Sequence, residues 1–290
     1  MTDELRESLE LGAQAGLAYT LAAPARAASG VAGLVVGNQP GASLDFLDHR
    51  DYQPGDDLRR IDWSAFGRTD RLVVRLYREE VSPHLDVVLD ASRSMRLDAG
   101  AAKPRAAVAL AALLATAARN AGFTHAVHAA GESTRKVEGC EQPPALWRLP
   151  EMDATTTLHD AVLAAPAKLR RRGLRVLVSD LFTPGDPGQL LGMLGADAAG
   201  LVVAQVLAAD DAQPPQRGNV RLVDSETGAT RDVYVDAAVQ QRYVEQFERH
   251  QEQWRLAARR VGAVFVTFVA EALLETWDES ALIHTQVLRV

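Results

Sequence analysis

Cysteine is nearly absent from this chain: among 290 residues only Cys140 carries a thiol. An intramolecular disulfide is therefore excluded, and a reducing compartment is expected. Cys140 lies between Gly139 and Glu141, neighbours that offer no catalytic partner, so it reads as a spare loop thiol. Long apolar runs are lacking as well. The longest largely apolar stretch is Ala106–Ala118, 13 positions, whereas a bilayer span needs about 18 or more. The first ten residues hold four acids and no apolar run, so no signal peptide is expected. These absences together predict a cytoplasmic protein with no direct membrane insertion. An excess of positive charge is missing too: the net charge is -7. That argues against a general nucleic-acid binder, which usually presents a basic face. Arg170, Arg171, Arg172 and Arg175 do cluster, but at the expected end of a helix, where positive charge suits the helix dipole.

What is present is an ordinary globular composition, 47% hydrophobic, and a pattern that changes twice along the chain. Residues 1–29 read as an N-terminal helix, Glu4–Leu21, with Leu5, Leu9, Leu17 and Leu21 roughly on one face, followed by an Ala-rich linker. Residues 30–82 are punctuated by Gly30, Gly33, Gly37, Pro40 and Gly41 around short segments such as Gly33–Val36, and Arg71–Arg78 is rich in strand formers. A small β-rich subdomain is expected there. Residues 83–290 alternate apolar strands with helices. The predicted strands are 84–90, 123–129, 174–180, 200–208 and 263–270. LRVLVS, LVVAQVL and AVFVTFV are near-continuous apolar runs, as in strands buried on both faces of a parallel sheet. The predicted helices are 104–120, 158–169, 189–194 and a long one starting after the N-cap Asp236. The last carries Val239, Tyr243, Phe247, Trp254, Ala257 and Val261 at helical spacing, interrupted by the polar His250, and this stripe is expected to face the core. A β-hairpin, 220–224 with 231–235, is expected to join the main sheet. The fold class is thus α/β, a doubly wound, mostly parallel, Rossmann-type sheet with a small N-terminal β-rich subdomain.

Ligands of such sheets bind beyond the carboxyl ends of the strands, where the strand order reverses. The first central strand ends in Asp90-Ala-Ser92-Arg-Ser94, and the third ends in Ser179-Asp180. Ala154-Thr155-Thr156-Thr157-Leu158 lies between them, just before a helix. These side chains offer two carboxylates and several hydroxyls, with no His or Cys. An all-oxygen set selects a hard cation, Mg²⁺ first, with Mn²⁺ or Ca²⁺ possible. The competing reading is a cluster of helix caps and turns, which use the same residue types.

Asp-x-Ser-x-Ser after a strand, a later Thr, and an Asp after a further strand resemble the metal-ion-dependent adhesion site of von Willebrand factor A domains. The resemblance implies that Ser92, Ser94 and Thr156 offer hydroxyls while Asp90 and Asp180 bind directly or through water. Thr156 is chosen because Ala-Thr-Thr-Thr-Leu matches the family's Gly-Gly-Thr-x-Leu; Ala154 and Thr155 replace the glycines, so Thr155 or Thr157 stays open. A second motif runs from His49 to Trp63 and contains Arg50, Tyr52, Pro54-Gly55, Asp56, Asp57, Arg59, Asp62 and Trp63. It is similar to the hallmark of the bacterial family called domain of unknown function 58, and the likeness extends over about residues 28–270. Pro54-Gly55 reads as a turn; Asp56, Asp57, Arg59 and Asp62 are expected in an ion-pair network covered by Trp63, or else on a partner-docking surface.

The resemblance implies an accessory protein of MoxR-type AAA+ ATPases that presents a metal to an acidic side chain of a protein partner during assembly or activation of complexes, and no enzyme activity. The alternative is a Mg²⁺-dependent hydrolase or phosphoryl-transfer enzyme. Against it, Ser92 stands where phosphatases with an Asp nucleophile carry a second Asp, and no Gly-Lys-Ser or Gly-Lys-Thr phosphate loop occurs. His125 and His128 are three apart on one strand and should face opposite sides; His159 is expected at the surface or behind the site.

Overall fold

The computed structural model describes residues 3–22, 36–40, 46–80, 83–96, 102–164, 168–224 and 229–290, with backbone alone for 36–40, 46–47 and 76–80. The Gly33–Val35 segment, most of the Ala-rich linker and the 225–228 turn lie outside the described residues. The chain divides into two compact units, residues 1–24 with 84–290 and residues 25–83.

The larger unit is built on a six-stranded sheet: β1 (His84–Asp90), β2 (Thr124–Ala130), β3 (Thr134–Lys136), β4 (Leu174–Ser179), β5 (Gly200–Leu207) and β6 (Val264–Val269). The order is β6-β5-β4-β1-β2-β3. All neighbours are parallel except the short β3, antiparallel to β2, which the periodicity does not signal. From β1 the chain proceeds outward to β2 and β3; from β4 it proceeds the other way to β5 and β6. The strand order therefore reverses between β1 and β4, and sheets of this kind bind their ligands in the crevice beyond the carboxyl ends at such a point.

Helices cover both faces. Alternation along β1 sends Leu85, Val87 and Leu89 into one layer and Val88 into the other. The first layer is closed by α1 (Asp3–Gly16), α2 (Ala102–Asn120) and α6 (Ala270–Thr276), the second by α3 (Leu158–Ala164), α4 (Pro187–Gly195) and α5 (Ala237–Val261). α2 is Ala-rich and almost wholly buried. Its small side chains let α1 approach backbone to backbone: a Cβ on Gly12 would sit 2.0 Å from the Ala109 carbonyl oxygen, and one on Gly16 would sit 2.6 Å from that of Leu113.

Several expectations are corrected. The first helix ends at Gly16, leaving Leu17 exposed at 70%, and Thr20–Leu21 pairs with Leu288–Arg289. β6 is an edge strand with a half-exposed alternating pattern, because only β5 flanks it. The hairpin strands Gly218–Val223 and Thr230–Val235 pair with each other and not with the main sheet. The arginines do not complete the last turn of α3, whose described residues end at Ala164. Arg175 lies inside β4, and its guanidinium donates to the carbonyls of Leu194 and Ala196 at 2.7 Å each, at the C-terminus of α4. Positive charge does meet a helix C-terminus, but that of the following helix.

The smaller unit holds a three-stranded antiparallel sheet in the order Val36–Pro40, Val73–Glu80, Phe46–Asp51, with a 3₁₀ turn Leu58–Arg60 and a helix Trp63–Thr69.

Candidate functional site

The crevice at the β1–β4 switch point is lined by the residues that follow those two strands. Asp90, the last residue of β1, is 1% exposed. Its Oδ1 accepts the Ser92 N–H at 2.9 Å, and its Oδ2 accepts the Ser179 hydroxyl at 2.6 Å. The Oγ atoms of Ser92 and Ser94 lie 3.0 Å apart, and Ser94 donates to Asp180 Oδ1 at 3.3 Å. Asp180 is fixed by the Phe182 N–H at 3.0 Å, and the Gln205 amide donates to its backbone carbonyl at 3.2 Å. Two short Asx- and Ser-type turns shape this end of β4: Ser179 Oγ also accepts the Leu181 N–H at 2.9 Å. Leu181 adopts a left-handed φ of 63° between them. Hydrogen bonds thus join Asp90, Ser92, Ser94 and Asp180 into one buried cluster.

The threonine loop docks beside it. Ala154 bridges Ser92 in parallel fashion, with Arg93 N–H donating to Ala154 O at 2.9 Å and Ala154 N–H to Ala91 O at 3.2 Å. The Thr156 hydroxyl donates to Glu132 Oε2 at 2.6 Å, and Thr155 donates to Glu132 Oε1 through both its N–H and its hydroxyl. Thr157 Oγ1 accepts the Asp160 N–H at 3.1 Å and so caps α3. The cap-and-turn reading thus describes Thr157 and also the bonds that Asp90, Ser179 and Asp180 accept from backbone N–H groups two residues on, while Thr155 and Thr156 share the Glu132 carboxylate.

One cation is built into the cluster. Lys103, 1% exposed, places Nζ 3.0 Å from Asp180 Oδ2 and 3.1 Å from Asp211 Oδ2. Burial alone would favour losing its proton, but Asp180 and Asp211 outweigh that and raise its pKa above the ordinary lysine value. The Phe182 ring lies 5.8 Å from Nζ and stacks on His250 at 5.6 Å. That contact accounts for a polar residue in the apolar stripe of α5. Farther along, Trp254 and Ala257 are buried in the second layer.

Burial, and then the negative charge of Asp180, pushes Asp90 up to about 6, against the lowering effect of the Ser179 and Ser92 hydrogen bonds. Two mutually repelling carboxylates with serine hydroxyls between them fit a hard divalent cation. Among the described residues no three His, Cys, Asp or Glu side chains converge as a metal site, so an ion here has to draw on the hydroxyls.

In the smaller unit the charged residues of the hallmark are held in ion pairs. Arg50 meets Asp56 at 2.6 Å, and Arg59 meets Asp57 at 3.1 Å. Asp62 receives Arg75 and His49, each at 2.9 Å, while accepting the Ala65 N–H as N-cap of the Trp63–Thr69 helix. These bonds, Arg75 foremost, hold the Asp62 carboxyl well below the usual range. The Gln53–Asp56 turn closes with a 3.0 Å bond and needs a φ of 107° at Gly55. The Tyr52 N–H donates to Leu72 O at 2.9 Å. Trp63, expected as a cover, is 62% exposed and meets Phe66 edge to face.

Residues 48–253, more than half the chain, match the family described as protein of unknown function DUF58. The chain belongs to the DUF58 family. An uncharacterised protein of Mycobacterium bovis (strain ATCC BAA-935 / AF2122/97) and one of Mycobacterium tuberculosis (strain ATCC 25618 / H37Rv) are each 28% identical over 238 residues, 78% of this chain and 73% of theirs. Among solved structures, an aerotolerance-related membrane protein from Bacteroides fragilis NCTC 9343 aligns with a TM-score of 0.37 at 12% identity, over 71% of this chain and 98% of that one. The conserved hypothetical protein BatB from Bacteroides thetaiotaomicron aligns with 0.32 at 11%, over the same shares. No helix among the described residues of this DUF58 chain is long and apolar enough to cross a membrane.

Lys103, Glu132 and Asp211 around this site of the DUF58 chain are not picked out as site residues in the sequence, and Ser179 appears there without a role of its own. Lys103 carried a signal: it opens an apolar helix at the end where the dipole disfavours a cation. Reasoning also passed over a buried cluster nearer the start of β1. Asp86 Oδ1 receives His128 Nε2 at 3.1 Å and His84 Nε2 at 3.3 Å, and its Oδ2 accepts the Arg170 N–H at 2.8 Å. His125 faces the other layer, near Trp147, as the strand period requires. His159 is largely buried against the loop after Asp180; a Cβ on Gly185 would meet its ring at 2.7 Å.

Proposed function

We propose that this DUF58 protein is a metal-dependent protein-binding module that works with a MoxR-type AAA+ ATPase in assembling or activating protein complexes. The observation that carries the reading is the convergence of Asp90, Ser92, Ser94 and Asp180 at the β1–β4 switch point. Its likeness to the adhesion site of von Willebrand factor A domains supports assigning the larger unit to that class. Asp90, Ser92, Ser94 and Asp180 would hold Mg²⁺, with Mn²⁺ or Ca²⁺ as substitutes, and Thr156 would join once its hydroxyl leaves Glu132. A bound divalent cation supplies an open coordination position to a carboxylate of the partner. The buried donors fix that position, and the exposed hallmark around Trp63 is a second surface for the ATPase. A reducing, cytoplasmic setting fits the single buried thiol of Cys140.

The test is binding of the MoxR-type ATPase, with Mg²⁺ and with chelator, to the wild type and to Asp90→Ala. Binding that needs Mg²⁺ and fails in Asp90→Ala supports the reading. Equal binding by both proteins in chelator would contradict it. A parallel screen with phosphate-ester substrates decides against the binding role if Mg²⁺-dependent turnover is found and Asp90→Ala abolishes it.

A further inference from the structure

Lys103 extends the proposed cation site, and the inference drawn from it rests on that reading. Its ammonium sits in the first turn of α2, where the helix dipole opposes a positive charge, and it is almost fully buried, which opposes any charge. Its partners account for its position. Asp180 faces two ways: Oδ1 toward the Ser94 hydroxyl and Oδ2 toward Lys103. Asp211 is held independently of the lysine, because its carboxylate accepts the Ala208 N–H at 3.0 Å and its carbonyl accepts the Tyr243 hydroxyl at 2.8 Å. It is thus a prepositioned second acceptor.

We propose that Lys103 is a built-in counter-cation that competes with a divalent cation for Asp180 and sets the affinity of the site, with Asp211 retaining the ammonium when Asp180 turns to the ion. The arrangement of the charges supports this. Lys103 offsets the Asp180 carboxylate that would face the ion, so moving the ammonium wholly to Asp211 frees Asp180 for the cation. While the ammonium stays on Asp180, one donor is engaged and like charge repels the incoming ion. The free protein therefore binds divalent cations weakly.

The experiment is calorimetric titration of Mg²⁺ and Mn²⁺ into the wild type, Lys103→Met, the double variant Lys103→Met with Asp211→Asn, Lys103→Arg, and an Asp90→Ala with Ser92→Ala control, each checked for native circular dichroism. Releasing a charged hydrogen bond on Asp180 is expected to tighten binding about tenfold or more in Lys103→Met. The double variant is expected to gain similarly, although its formal charge equals that of the wild type. Lys103→Arg keeps the cation and is expected to stay near wild-type affinity. It is also the deciding variant if the methionine proteins fail to fold, since tighter binding by the arginine protein would overturn the proposal. If the methionine proteins bind no tighter than the wild type while the control loses binding, the counter-cation is refuted and the cation site stands. If no protein binds either ion, both are refuted.

Discussion

The Ser179 hydroxyl donates to Asp90 across adjacent strands at 2.6 Å while its oxygen accepts the Leu181 N–H. One small side chain therefore ties the end of β4 to the end of β1 and shapes the turn that directs Asp180. Ser179→Ala removes a buried bond to a carboxylate and is expected to cost about 1–3 kcal/mol of stability. It is also expected to weaken Mg²⁺ binding, because Asp180 loses its aim. Thermal unfolding with and without Mg²⁺ checks both. Unchanged stability and unchanged ion response would show that the bond is incidental.

Acid sensitivity should concentrate at Asp86. Burial alone would raise its pKa, but the bonds from His128, His84 and the Arg170 N–H outweigh burial and hold it well below the ordinary range. A depressed folded-state pKa contributes stability that is complete above the unfolded value, about 4, and lost as pH falls toward the folded one. Asp86→Asn is therefore expected to be less stable than the wild type at neutral pH, by about 1.5–3 kcal/mol for lost hydrogen bonds to a charged group. The gap should narrow below about pH 4. Denaturant titrations from neutral pH to about pH 3 measure it, and a gap that widens on acidification would reverse the assigned sign.

The approach of α1 to α2 leaves no room for a methyl group at Gly12. Gly12→Ala, although it raises helix propensity, is expected to destabilise the larger unit by about 1–3 kcal/mol through overpacking. A melting temperature equal to or above that of the wild type would show that α1 is not integral to the unit.

Trp63 should separate binding from folding. Being mostly exposed, its replacement by Ala is expected to change stability by less than about 0.5 kcal/mol while weakening binding of the MoxR-type ATPase. Unfolding curves and a binding isotherm on the same sample distinguish the two, and intact binding would remove this surface from the account.

The α/β alternation was legible because β4 and β5 are near-continuous apolar runs and the helices carry Pro104, Asp236 and similar end signals. Asp90, Ser92, Ser94 and Asp180 were legible because they stand at or just beyond the carboxyl ends of two strands. The rest depended on tertiary partners. β3 is three residues long and exists only by pairing with β2. Glu132 and Asp211 lie in segments whose meaning appears only when the Thr155–Thr156 loop and Lys103 are brought to them. Arg175 reads as one of a run of surface arginines until Leu194 and Ala196 present their carbonyls to it. Of the hallmark, the Pro54-Gly55 turn was legible, but the pairing of Asp62 with Arg75 was not, because Arg75 lies on a strand outside the motif.

The central claim is that the crevice at the β1–β4 switch point holds a divalent cation. Calorimetric titration of Mg²⁺ and Mn²⁺ into the wild type and into Asp90→Ala with Ser92→Ala tests it most directly. Saturable one-site binding by the wild type that disappears in the variant is the expected result. Binding that persists unchanged in the variant, or no binding by either the wild type or Lys103→Met at millimolar ion, would contradict it.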